Sequence, residues 1–362
     1  MRILPLHYFI NLNNIIMKKI LFLMCAYSFM LMSCNQYEEL NERALNSSKQ
    51  LKDITTIIQK YGLDISTLMD MKDYYLVEDD IMFMKNDLKE YLNFATTRQG
   101  AESLQFLLSR ETASNIEIEI HPEVTGEYRR AVKDAMNAWN NIPDCCIYFY
   151  EVPYYGPNRP VTTKSTLILY DRNMIIDGRT TTPSNPNKTA DKVYINPSLP
   201  YLDMLETVAH ELGHVLGFLH TFLPDAQHAM LVPGTDRVDD TSLMGHGRIY
   251  PSDPLFSKND IIAAKHLFPE KPLELIIHSR DNSPYGYKYN IEAKNLISEL
   301  NYKWVVTGAN IGMEKRDALV IKPTNYYATV TVKLYAKEVS DQNLVKTLSF
   351  IPSQVNVPVQ NW

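Results

Sequence analysis

His210-Glu211-Leu212-Gly213-His214-Val215-Leu216-Gly217-Phe218-Leu219-His220 is the stretch on which the reading of this chain turns. Residues four apart on an α-helix lie about 40° apart in azimuth and about 6 Å apart in rise, so His210 and His214 can aim their imidazoles at one point beside a helix. Glu211 follows the first of them directly, which lets its carboxylate reach a water bound at that point. His220 is the informative residue. On a continuing helix it would lie about 15 Å from His210 and on another face. It joins the pair only if the helix stops after His214 and the chain doubles back. Gly217 is the residue type for that stop, because glycine takes the left-handed conformation without a Cβ penalty.

Three neutral imidazoles leave one position of a tetrahedral Zn²⁺ open, the pattern of a catalytic zinc rather than a closed structural one. A bare H-E-x-x-H recurs by chance, and an amphipathic helix with solvated histidines accounts for most such cases. The longer string fixes three histidines, a glutamate and a glycine. A chance match in a chain of this length is on the order of 10⁻⁵.

The full string, H-E-x-x-H-x-x-G-x-x-H, resembles that of the metzincin clan of zinc proteases. Ser242-Leu243-Met244-Gly245 is similar to the clan's methionine turn, which lies under the zinc. Phe256 to Ala264 is similar to the last catalytic-domain helix of matrixins and of the bacterial HEIGH-type metallopeptidases. The resemblance implies an α+β, metzincin-like catalytic domain over residues 112–271: a twisted mixed sheet backed by two helices, the second carrying His210 and His214. It also implies one catalytic Zn²⁺ on His210, His214 and His220, with Glu211 as general base and Met244 in the turn below. The substrate would be a protein or peptide, laid along an exposed edge strand of the sheet. Some metzincins carry a tyrosine two residues after the methionine. This chain has His246 there, either a substitute or an exposed loop histidine. Matrixin-like relatives often bind calcium, but no clear calcium loop is visible.

The chain has 362 residues, enough for two or three domains. Its net charge of −6, with no basic cluster, argues against nucleic acid as the main partner. Of its four cysteines, Cys25 lies in an apolar run, Cys34 closes that run, and Cys145 and Cys146 are adjacent. Adjacent cysteines bridge one another only with strain. No disulfide framework is expected, and the downstream pair reads as packing.

Met17-Lys18-Lys19 followed by the apolar run Ile20 to Met32 has the form of a secretory signal, too short to span a membrane. Leu31-Met32-Ser33-Cys34 resembles the lipobox of bacterial lipoproteins. That implies cleavage before Cys34, lipid attached to it, and an exported protein anchored in the bacterial envelope, periplasmic or surface-exposed. A plain signal peptide cut elsewhere is the alternative.

Residues 35–111 read as a pro-like region. A polar tether leads to a helix with Leu51, Ile54, Ile57, Ile58 and Tyr61 on one face, ended by Gly62. Tyr74 to Phe83 reads as strand with an acidic interruption, and an amphipathic segment with Leu88, Tyr91 and Leu92 comes next. Val77-Glu78-Asp79-Asp80-Ile81 is loosely similar to the F-x-G-D segment of astacin pro-regions, where an aspartate takes the zinc's open position. Asp80 is either that latency aspartate or part of a solvated acidic turn. No cysteine is available for a thiol-based switch.

In the catalytic region, Ile116, Ile118 and Ile120 alternate with glutamates as a half-buried strand, and Tyr128 to Asn140 reads as helix. Further strands are expected at Cys146–Tyr150, Thr166–Tyr170 and Lys192–Asn196. Asp177 to Asp191, rich in Thr, Pro and Asn, reads as loop. The zinc helix should start near Pro200. Ser257 and Asp260 make an N-cap pair for the final helix, which Pro269 closes. Beyond Pro272, over residues 272–362, six short strand-like runs suggest an all-β immunoglobulin-like sandwich, with Trp304 where such domains often carry a core tryptophan. It reads as spacer or binding module. The rival to an endopeptidase is a surface-anchored binding protein with a structural or vestigial zinc.

Overall fold

Strands that all precede the zinc motif build one sheet, and the motif's helix lies against it. The computed structural model describes residues 48–96, 107–156, 165–221, 231–236, 238–245, 255–283, 286–340 and 343–355. The signal-like run, Cys34 and His246 lie outside them. The chain divides after Thr56 into two units. Of the first, residues 48–56 are helical. The second begins at Ile57 and carries the sheet, the zinc motif and the C-terminal strands.

The eight-stranded sheet comprises β1 (Met69–Asp70), β2 (Tyr74–Val77), β3 (Ile81–Met84), β4 (Ile116–Ile120), β5 (Phe149–Val152), β6 (Ser165–Tyr170), β7 (Gly178–Thr181) and β8 (Lys192–Ile195). Their order is β1-β2-β3-β7-β8-β6-β4-β5. Strands β5, β4, β6 and β8 run parallel, β7 is antiparallel to β8, and β3 is parallel to β7. After helices α1 (residues 48–61), α2 (Leu88–Thr96) and α3 (Arg110–Ala113), two more, α4 (Gly126–Asn140) and α5 (Tyr201–Leu216), pack on this sheet and on each other. Ala131, Ala135 and Trp139 of α4 and Val208, Leu212 and Val215 of α5 share a buried core with Ile118, Ile168 and Val193 of the strands. The i, i+3/i+4 spacing on the helices and the alternation on the strands put these residues on facing surfaces.

Two local expectations need correcting. Residues 177–191 are not all loop, because Gly178–Thr181 forms β7. Four residues are too few for a period-2 signal to emerge from a Thr-, Pro- and Asn-rich run. The strand exists because it has a partner on each side: Thr180 pairs with Val193 of β8 and with Ile81 of β3. The strand expected from Cys146 begins only at Phe149. The Cys146 N–H instead donates to Phe268 O at 2.9 Å, tying this segment to the chain that leaves the last helix.

That helix, α6 (Lys258–Leu267), starts from a full capping box, with Ser257 and Asp260 each accepting from the other's backbone N–H. Beyond it stand two antiparallel sheets, one of four strands and one of three. Tyr289, Ile291, Leu319 and Ile321 of the first share a core with Trp304, Val330, Val332 and Leu334 of the second. One strand of the first, Ala309–Glu314, was not legible. Its Ile311, Gly312 and Met313 are exposed along the sheet's edge and give no buried alternation.

Candidate metal centre

Helix α5 ends where the motif requires. Gly217 has φ +96°, the Phe218 N–H donates to Gly213 O at 3.0 Å, and the Gly217 N–H donates to His214 O at 3.0 Å. This is the paired closure of a Schellman motif, and it turns the chain back over its own last turn. His220 thereby meets the two helix histidines. The Nε2 atoms of His210 and His214 are 3.1 Å apart, and His220 Nε2 lies 3.2 Å from each.

The outward nitrogens set the tautomers. His210 Nδ1 donates to Leu243 O at 2.7 Å, and His214 Nδ1 donates to Phe218 O at 2.8 Å. A carbonyl oxygen only accepts, so both hydrogens sit on Nδ1 and both Nε2 lone pairs face inward. His220 Nδ1 faces Glu78 Oε2 at 3.0 Å.

Lone pairs this close repel unless a cation or proton stands among them. Nitrogens about 2 Å from a tetrahedral ion stand about 3.3 Å from one another, so the triad fits Zn²⁺. Asp80 completes the set: its Oδ2 lies 3.0 Å from His220 Nε2 and 3.3 Å from His210 Nε2. Asp80, His210, His214 and His220 are the group that could hold a metal ion among the described residues. Asp80 Oδ1 is buried and has no hydrogen-bond partner among the described residues, as expected of a carboxylate facing an ion. The Asp80 side chain is 15% exposed and turned toward the three imidazoles.

Glu211 is buried beside the triad, and Thr180 Oγ1 of β7 donates to its Oε2. Burial, and then the charge on Asp80, push its carboxyl well above the usual carboxylate range. Burial alone would also raise Asp80, but His220 and His214 beside it outweigh that and hold it well below the usual range. Burial opposes charge on His220, yet Asp80 and Glu78 carry it up to about 10. At His214 burial prevails and lowers the value.

Met244 is buried under the helix, where a Cβ on Gly213 would collide with its thioether sulfur. Its turn is held from α6. Asp260 Oδ1 accepts from Ser242 Oγ at 2.6 Å and Oδ2 accepts from the Leu243 N–H at 2.7 Å. Leu243 O in turn orients His210. The expected cap residue thus reaches the centre through two bonds. Gly178 has a parallel role, since a Cβ there would overlap the Glu211 carboxylate. Glu78, Thr180, Gly178 and the link through Asp260 were not foreseen. Glu78 sits inside the acidic interruption beside Asp80, but nothing in its type or spacing distinguishes it from a solvated glutamate.

No protein-family model and no curated protein matches the chain. Among solved structures, it is similar to high choriolytic enzyme 1, a hatching-enzyme zinc protease of the medaka fish Oryzias latipes. That match has 17% identity over 46% of this chain and 96% of that one, with a TM-score of 0.28. It is also similar to two structures of myroilysin. One has 14% identity, covers 48% of this chain and 88% of that one, and has a TM-score of 0.30. The other has 14% identity, covers 47% and 97%, and has a TM-score of 0.29. TM-scores this low carry no functional weight.

Proposed function

We propose that this chain is a zinc-dependent endopeptidase held latent by its own N-terminal block. The observation that supports it best is the meeting of three Nε2 atoms at 3.1–3.2 Å beside the buried carboxylate of Glu211. A structural zinc has no use for a base at that place.

Held by His210, His214 and His220, Zn²⁺ would lower the pKa of a water and act as a Lewis acid toward a peptide carbonyl. Glu211 takes the water's proton as the oxygen attacks the carbonyl carbon, then passes it to the leaving amine. Thr180 fixes the carboxylate's direction. An extended peptide would lie along β7, where the N–H groups of Thr180 and of Thr182 just beyond the strand now donate to Asp80 O and Met82 O at 2.9 and 3.1 Å. On this reading β3 takes the substrate's edge and Asp80 the water's place. Met244 supports the triad from below.

A second reading has one observation in its favour. With Asp80 counted, the ion would have four protein ligands, as in a closed structural site of a binding protein. Full-length wild type and Asp80→Ala separate the two, assayed for zinc content and on an unbiased peptide library, with and without chelator. Expected are zinc in both and chelator-sensitive cleavage that rises in Asp80→Ala. Zinc in both with cleavage in neither would favour the binding protein.

We read the N-terminal run and Cys34 as export signal and lipid anchor, placing the protein in a bacterial envelope. Fatty-acid labelling that is equal in wild type and Cys34→Ala would remove that part. The two C-terminal sheets we read as an immunoglobulin-like sandwich serving as spacer or binding module.

A further inference from the structure

His220 is gripped at both ring nitrogens by a single turn. Asp80 Oδ2 faces Nε2 and Glu78 Oε2 faces Nδ1, each at 3.0 Å. The Asp80 contact falls where an ion would sit. The Glu78 contact does not, because Nδ1 points away from His210 and His214. Those two histidines take their orienting acceptors, Leu243 O and Phe218 O, from the zinc-motif half of the chain. Of the three, only His220 takes its acceptor from the N-terminal block.

Glu78 is built into its place. It is 4% exposed, and its Oε1 accepts from the Asp64 N–H at 2.9 Å. Its own N–H donates to Thr67 Oγ1 at 2.8 Å, and Thr67 Oγ1 donates to Asp64 O at 2.7 Å. The backbone there is strained, with φ +51° at Glu78 and +70° at Asp79, neither of them glycine. Such a pair persists only where surrounding contacts over-determine it. Glycine or asparagine would close the β2–β3 hairpin more easily. The turn instead retains a buried carboxylate whose second oxygen is spent on His220.

An imidazole nitrogen binds a metal only when it carries no hydrogen, which for Nε2 of a neutral ring puts the hydrogen on Nδ1. A carboxylate accepting from Nδ1 favours that tautomer, fixes the ring's direction and raises the basicity of Nε2. We propose that Glu78 is a positioning residue of the metal centre, acting through His220, so that the N-terminal block assembles the site it also covers. This rests on reading the triad as a zinc site. Metal affinity, and not access alone, then depends on the block.

The test uses the full chain, stripped of metal and reloaded. Zn²⁺ affinity is measured by competition with a chromophoric chelator, and the bound geometry is read from the visible spectrum of the Co²⁺ form. Glu78→Ala should weaken Zn²⁺ binding about 10- to 100-fold and shift the cobalt bands. Glu78→Gln keeps the side chain's shape but turns a donor toward one of two donors, and should weaken binding less. If Glu78→Ala does not fold, Glu78→Gln carries the same comparison. Melting of the metal-free chain, followed in parallel, isolates a purely structural role: that role would lower the melting temperature and leave affinity and cobalt spectrum unchanged, and it would overturn the proposal. Wild type that binds no Zn²⁺ would instead sink the zinc reading itself.

Discussion

The α5 arm and the Val77–Ile81 turn reach one centre by opposite means. The arm delivers His210, Glu211, His214 and His220 within eleven residues, through helix geometry and one left-handed glycine. The turn delivers Asp80 and Glu78 from 130 and 142 residues away, through the pairing of β3 with β7. The arm's contribution is inseparable from its fold. The turn's is made by a neighbour that a cut between the two could remove. Under the proposed function, Asp80 on the turn would control access to a base and triad that the arm supplies, while Glu78 on the same turn would steady His220.

Glu211→Gln on the arm and Asp80→Ala on the turn should act with opposite sign. Glu211→Gln should lower turnover about 10³-fold while zinc content, read by atomic absorption, stays near one per chain. Asp80→Ala should raise turnover of the same full chain. If both lowered it equally, the division between chemistry and control would be wrong.

The arm should also tolerate less local change. Gly213→Ala puts a methyl against the Met244 sulfur and should cost about 2 kcal/mol, measured as a shift in denaturant midpoint with m unchanged. Thr180→Val removes the donor to Glu211 and should lower kcat about tenfold with KM little changed, as expected for a hydrogen bond to a charged group. Thr180→Ser should restore most of the loss. A Thr180→Val enzyme with wild-type kcat would show that burial alone holds the base.

The smallest effect lies outside both arms and calibrates them. Burial lowers His266 on α6 from 6.5 to about 4. The unfolded chain then takes up that proton first as pH falls, so the stability His266 contributes is full above pH 6.5 and drains away toward pH 4. Between pH 7 and 5.5 the loss should be about 1 kcal/mol, and His266→Leu should flatten that slope in denaturant unfolding. A slope that persists in the variant would assign it to another group.

The zinc helix, its stop at Gly217, the Ser257–Asp260 cap and most strands were legible because each depends on residues within a few positions of one another. Strand β7 was not. Its four residues, Gly178 to Thr181, carry no period long enough to read, and they are strand only because β8 and β3 flank them. Asp80 was visible as a candidate but undecided, since the same acidic run also suits a solvated turn. Glu78 and Thr180 were invisible as site residues, because a glutamate and a threonine acquire those roles only from what they face.

The sequence by itself determined which atoms could bind a metal and which carboxylate could serve as base, because covalent spacing along a helix and a left-handed glycine restrict where those groups can point. Only the tertiary structure decided what surrounds them: a strand laid along β7, an aspartate among the three imidazoles, and a glutamate behind the third. Those placements come from hydrogen bonds between strands far apart in the chain, and no local pattern encodes the partner a strand edge will take.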